Sequence, residues 1–357
     1  MIDVNRSPTP TTATTATTAS KGVASRDLFA IAGIRVRPFD TGRDLDSLIE
    51  VIFEANVADG EEYAPSVEDF RKEIGHRANF DPDRDMLVAE IGGRLVGATQ
   101  HSVRLLSGVV QHHIVGWVRP DARRQGIGRA LLHWTELRGR EAATEWAGPE
   151  PHGFTSRVGE TQPGAIALLE SEGYRRAGRG YTLTRPLSEP IPDASVPEGL
   201  EVRPVVESDR RRILDADADA CRDHWDPYEH TEDDLVAMMS VPGIDTSIWR
   251  VAWAGDEVAG SVMNYIFAEE NAKLGIQRGW LAHVSVRRPY RRRGLADALI
   301  AESLRALRDE GLEQVALDVD AENVSVALHL SESFGFRRHH TAISYSKPFL
   351  WRGRRAV

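Results

Sequence analysis

Strands alternating with helices, read twice along one chain, predict an α/β fold in which each of two tandem copies carries a mixed sheet. Three observations lead there. The chain repeats its own landmarks at a near-constant offset. Each copy switches between two-residue and 3.6-residue hydrophobic periodicity. At 357 residues there is room for two domains that each bury a core.

The repeat shows in three places. Ile34-Arg35-Val36-Arg37-Pro38 is answered by Leu200-Glu201-Val202-Arg203-Pro204. Arg119-Pro120-Asp121-Ala122-Arg123-Arg124-Gln125-Gly126-Ile127-Gly128 is answered by Arg288-Pro289-Tyr290-Arg291-Arg292-Arg293-Gly294-Leu295-Ala296. Leu169-Glu170-Ser171-Glu172-Gly173-Tyr174 is answered by Ser331-Glu332-Ser333-Phe334-Gly335-Phe336. Offsets of 166, 168 and 162 residues, in the same order, identify a duplication. The expected layout is a first domain over 29–187, a linker over 188–199 that holds Pro190, Pro192 and Pro197, and a second domain over 200–350. Residues 1–28, dominated by Thr, Ala and Pro, are expected to be a disordered tail.

In the second copy the elements fall in order. Strands are expected over 201–204, 248–254, 259–267, 280–286 and 314–319, with Asp256-Glu257 as a hairpin turn. Helices are expected over 209–222, 231–239, 297–310 and 325–334. Leu299, Ile300, Leu304 and Leu307 form the apolar stripe of the third. Two short final strands run through His340 and Tyr345. The first copy follows the same plan, with strands over 86–91, 95–104 and 111–118 and a helix over 128–144.

Composition narrows the class. A formal net charge of -10 argues against a nucleic-acid partner. The single cysteine, Cys221, excludes a disulfide framework, points to a reducing cytoplasm, and reads as structural. No apolar run is long enough to cross a bilayer, no Cys/His cluster has metal spacing, and a monomer with a pseudo-dimeric arrangement of its copies is expected.

The chemistry lies in a strand, a short Arg/Gly loop and a helix. In the second copy Val284-Ser285-Val286 leads into Arg291, Arg292, Arg293, Gly294, Leu295 and Ala296. Small residues at 294 and 296 let backbone amides converge, and the helix start adds unpaired amides and a positive dipole end. That combination suits a pyrophosphate, with the arginines as charge-assisted donors. The first copy repeats it with Gly116 and Val118 before Arg123, Arg124, Gln125, Gly126, Ile127 and Gly128.

Arg-x-x-Gly-x-Gly/Ala between a strand and a helix, followed by a strand, a helix and Gly-Phe/Tyr, resembles the GNAT superfamily of N-acetyltransferases. The tandem arrangement is similar to its mycothiol-synthase-like branch. The resemblance implies two GNAT domains, each a mixed, mostly antiparallel sheet flanked by helices. It also implies acetyl-CoA as a substrate held by the two loops, with the preceding strand (Val284 and Val286, or Gly116 and Val118) bonding the pantetheine arm. Asn323 falls where the family often uses Asn for the pantetheine, and is equally suited to cap a helix. Thr161 takes that place in the first copy and could still cap.

Acetyl transfer to an amine needs a base, a donor to the thioester carbonyl, and an acid for the leaving thiolate. The position of the family's acidic Tyr falls on Ser331 and Leu169, neither of which is Tyr. The strand over 280–286 has no Glu; His283 is the candidate base there, its other reading being a half-buried strand residue. Asp318, Asp320, Glu269 and Glu270 are alternatives, and His112 and His113 stand on the matching first-copy strand. The acidic helix segment 215–223 reads as a solvated face, its other reading being a bias of the acceptor site toward cationic amines. Trp225 and Tyr228 are candidates for an acceptor pocket. The expected activity is N-acetyl transfer to a small-molecule primary amine in the second copy. An acyl-CoA sensor and a protein acetyltransferase are the other readings.

Overall fold

A computed structural model describes residues 33–349 except 78, 107, 223–238, 240–243, 322 and 323. The expected tail, the helix over 231–239, Trp225, Tyr228 and Asn323 therefore lie wholly or largely outside the described residues. The first half runs β1 (Ile34–Pro38), α1 (Thr41–Asp59), α2 (Val67–His76), α3 (Pro82–Asp85), β2 (Met86–Ile91), β3 (Arg94–Leu106), β4 (Val109–Val118), α4 (Ile127–Glu145), β5 (His152–Gly159), α5 (Pro163–Ser171) and β6 (Arg175–Pro186). The second half runs β7 (Glu201–Arg203), α6 (Arg210–Cys221), β8 (Arg250–Ala254), β9 (Glu257–Tyr265), α7 (Ala268–Leu274), β10 (Arg278–Val286), α8 (Leu295–Asp309), β11 (Gln314–Asp320), α9 (Val324–Phe334) and β12 (Arg337–Phe349). Glu269 and Glu270 stand in α7 rather than in an open loop. The two expected final strands are one strand, β12.

All twelve strands join one sheet in the order β1-β2-β3-β4-β5-β12-β6-β11-β10-β9-β8-β7. The last strand of the second half sits between two strands of the first. β12 pairs antiparallel with β5 over 342–349 and with β6 over 337–346. β6 in turn pairs antiparallel with β11. Packing follows the exchange. Leu183 and Leu187, on and just after β6, are buried in the second half's core with Leu299, Leu304 and Trp249. Ile343, Tyr345 and Phe349 of β12 are buried in the first half's core with Ile114, Phe154 and Leu169. Neither half completes its sheet alone, so the pseudo-dimer is built into the strand order.

Two parallel contacts set the position of the sites. β4 and β5 pair only over Val110–His113 and His152–Thr155, and β10 and β11 only over Arg278–Trp280 and Gln314–Ala316. Beyond those pairs the neighbours part. The free edge of β10 from Leu281 to Val286 then opens a slot in the sheet at the mouth of the Arg/Gly loop. The strands before the loops differ between the halves: β10 shifts register against β9 between Leu281 and His283, making Ala282 a bulge, whereas β4 keeps one register against β3 throughout. A bulge re-aims the side chains around it.

Candidate active site

The two loops share one backbone. Arg124 and Gly126 hold φ of 64° and 87°, and Arg292 and Gly294 hold 60° and 83°. The left-handed region is costly for arginine, and its use at the same place in both copies marks a loop shaped for its backbone. Gly126 and Gly294 are the N-cap residues of α4 and α8, and neither helix start has a side-chain cap. The first intrahelical bonds run from Ala130 to Gly126 and from Ala298 to Gly294, leaving the amides before them without backbone partners among the described residues. Uncapped amides at a dipole's positive end form an anion cradle.

The first arginine of each motif anchors the loop. Arg123 donates from Nε to the Val118 carbonyl (3.1 Å) and from a terminal nitrogen to the Ala55 carbonyl (3.1 Å). Arg291 donates to the Val286 (2.9 Å) and Ala220 (2.7 Å) carbonyls. Both tie the strand end and the loop to the first helix of their half, so these bonds engage donors that the sequence reading assigned to phosphate. Arg124, Gln125 and Arg292 are exposed on the loop crests. Arg293 donates to the Glu198 carbonyl. Leu295 and Ile127 are buried under their loops, while Gly128 packs near Leu168, where a Cβ would meet its side chain at 3.5 Å.

Around the loops the halves diverge. In the first half Asp59 ion-pairs with Arg123 (2.7 Å) and accepts from Gln162 Nε2 (3.3 Å). Glu61 accepts from Thr161 Oγ1 (2.7 Å) and lies 3.2 Å from His340 of β12. Thr161 thus does not cap α5, whose N-cap is Gln162. Two carboxylates held between the loop and the start of α5 oppose an incoming polyphosphate. Leu169 is buried. His112 joins a buried chain with His101 and His152 (2.9 Å each), and burial pushes it down to about 3. His113 lies beside Thr155 Oγ1 (3.3 Å), and burial holds it at about 4. The first is a packing element under α4, behind Gly139, where a Cβ would lie 2.7 Å from Phe154.

In the second half His283 stands just past the bulge, half-buried, on the face of β10 turned toward α6. Its Nδ1 lies 3.3 Å from Oδ2 of Asp217, a carboxylate only 1% exposed. The Tyr265 ring is 6.3 Å from the imidazole, and burial together with the Asp217 charge pushes its hydroxyl well above the ordinary range. Asp217, read in the sequence first as part of a solvated face, is buried against His283 instead. Its signal was there: on α6 it continues the stripe of Ile213 and Leu214, both fully buried. Val284, 42% exposed, lines the open edge next to it, and Ser285 turns inward to Ser261 (3.2 Å).

The other candidates stand apart or are otherwise engaged. Asp318 accepts from Thr182 (2.7 Å), and Ser331 lies exposed on α9. Cys221, expected to be buried, is half-buried at the end of α6. Glu270 is pushed up to about 7 by burial, near the Arg278–Glu62 ion pair (2.7 Å) that joins the halves. No His/Cys/Asp/Glu group among the described residues is arranged to hold a metal ion, and no described helix is long and apolar enough to cross a membrane.

A duplicated sheet that parts beside an uncapped, Gly-hinged helix start is the architecture of an acyltransferase. Family models agree half by half. Residues 211–336 match the acetyltransferase (GNAT) family, and residues 82–176 match an acetyltransferase (GNAT) domain. The mycothiol acetyltransferase of Salinispora arenicola (strain CNS-205) is 34% identical over 235 residues, 64% of this chain and 71% of that protein. That of Geodermatophilus obscurus is 29% identical over 319 residues, covering 85% and 97%. Among solved structures, a GCN5-related N-acetyltransferase from Sphaerobacter thermophilus shares the fold with a TM-score of 0.70 at 23% identity, over 89% of this chain and 96% of that one. A tandem GNAT protein from the clavulanic acid biosynthesis pathway does so at 0.63 and 18%, over 88% and 98%. The chain belongs to the GNAT family of N-acetyltransferases, in its tandem, mycothiol-synthase-like branch.

Proposed function

We propose that the second half transfers the acetyl group of acetyl-CoA to the primary amine of a small molecule, with His283 as the general base. The observation that carries this is the placement of a part-exposed imidazole at the bulge of β10, beside the slot that opens onto the Gly294 loop. The loop amides of 292–297 receive the pyrophosphate. The open edge of Val284 and Val286 receives the pantetheine. His283 takes a proton from the substrate ammonium. The freed amine adds to the thioester carbonyl carbon, the C–S bond breaks, and an amide forms. Of the two protons lost by nitrogen, one returns to the thiolate and one leaves to solvent. Ser331, an exposed hydroxyl, is too weak an acid to be assigned that return, and Tyr265 is held too firmly protonated.

The relatives are named mycothiol acetyltransferases, which favours a small-molecule acceptor over a protein. The first half carries the same loop with Asp59 and Glu61 beside it and aliphatic Val115 at the place of His283, and serves as scaffold. The test is release of CoA thiol from acetyl-CoA against a panel of small-molecule amines, with acetyl-CoA binding measured by calorimetry on the same sample. Binding with turnover on at least one amine is expected. Binding without turnover on any amine would make the chain a sensor, and no binding would overturn the account.

A further inference from the structure

The proposed base is one side chain of a pair, and the pair exists in only one half. The two halves can be aligned through bonds rather than sequence. Arg123 and Arg291 each bond the carbonyl of the last strand residue, Val118 or Val286, and an alanine carbonyl on the first helix, Ala55 or Ala220. Three residues before those strand ends stand Val115 and His283. Three residues before those alanines stand Ile52 and Asp217. In the first half the two places are therefore filled by aliphatic side chains that pack in one core cluster, with Ile52 fully buried. In the second half they hold an imidazole and a carboxylate 3.3 Å apart.

Burying a carboxylate at 1% exposure is costly unless a donor answers it. The matched Ile52 shows that the scaffold does not need a polar group there. We infer that Asp217 is a positioning residue: it accepts a hydrogen bond from Nδ1–H of His283, fixing the tautomer whose Nε2 lone pair is turned to the substrate ammonium. A carboxylate behind an imidazole sets ring orientation and stabilises the imidazolium that forms on proton transfer. Among the described residues, Asp217 on α6 and Tyr265 on β9 are ionisable groups that face His283. Tyr265 stays neutral through the working range, so Asp217 is the charge that biases the ring.

This inference rests on His283 being the base, and the test separates the two. Asp217→Asn keeps the shape and removes the charge, and its amide can donate to Nδ1, selecting the wrong tautomer. It is expected to lower kcat on the order of 100-fold and leave the KM for acetyl-CoA within about two-fold. His283→Gln is expected to lose at least as much. If His283→Gln retains wild-type turnover, the base assignment falls. If His283→Gln is inactive while Asp217→Asn keeps wild-type kcat, the base stands and the positioning role is wrong. A readout independent of activity is ¹⁵N NMR of the His283 ring, identified by its loss in His283→Gln. The Nδ1–H tautomer is expected in the wild type at neutral pH and its loss in Asp217→Asn; an Nε2–H tautomer in the wild type would overturn the inference.

Discussion

The two halves share a loop to within a few degrees of backbone angle and share almost nothing of what surrounds it. Gly126 and Gly294 cap their helices alike, and Arg123 and Arg291 make the same two anchoring bonds. Next to the first loop stand Asp59 and Glu61, tied across to Gln162 and Thr161. Next to the second stands the His283–Asp217 pair. The loop is a backbone device, so it survives any change in side chains that spares its glycine. The proposed chemistry is a side-chain device, and the matched places in the first half hold Ile52 and Val115 in its core.

The comparison can be broken first at the base. His283→Gln should lower kcat by roughly 10²-fold or more, the ordinary contribution of a positioned base, while Val115→Ala, at the matched place, should leave kcat within about two-fold. Steady-state CoA release measures both. Next comes the exchange of strands. Phe349 is 8% exposed and stacks on Phe154 at 4.6 Å, far in sequence from the core it fills. Phe349→Ala should cost about 3 kcal/mol. Because β12 also pairs with β6, calorimetry should show one lowered transition for the whole molecule; two separate transitions would show that the halves fold independently.

The smallest effect is a pH dependence where the halves meet. Burial raises Glu270 from the usual carboxylate range to about 7. Its folded pKa lies above its unfolded one, so the stability it allows is fully present below about pH 4.5 and is lost as pH rises through about 7. Glu270→Gln should match the wild type at pH 4.5 and exceed it by about 1–2 kcal/mol at pH 8, read from melting curves across that window. An equal gap at both pH values would show that charge is not the cause.

Much of this was legible in the sequence, and the boundary has a physical reason. The Arg/Gly loops could be read because backbone geometry at Gly126 and Gly294 restricts the residues allowed there. The strands on either side could be read from two-residue periodicity. The partner of β12 could not, since alternation states which face a strand buries and not whose sheet it joins. Hence one strand reaching across β5 and β6 read as two short ones. Arg123 and Arg291 read as phosphate donors because charge is visible in sequence, whereas the Ala55 and Ala220 carbonyls that receive them are not. Asp217 read as solvated because Asp215 and Asp219 flank it; only its place on the Ile213 and Leu214 stripe sets it apart.

The central claim is that both loops are built alike and only the second is used. Gly294→Glu and Gly126→Glu test it as a matched pair. Each puts a carboxylate at the loop at nearly the same φ, with a comparable backbone penalty of about 1–2 kcal/mol. Melting temperatures should fall alike in the two variants. Acetyl-CoA turnover should fall by roughly 100-fold or more in Gly294→Glu, about 3 kcal/mol of lost phosphate contacts, and stay within a few-fold of wild type in Gly126→Glu. Turnover intact in Gly294→Glu and abolished in Gly126→Glu would place the chemistry in the first half and contradict the account.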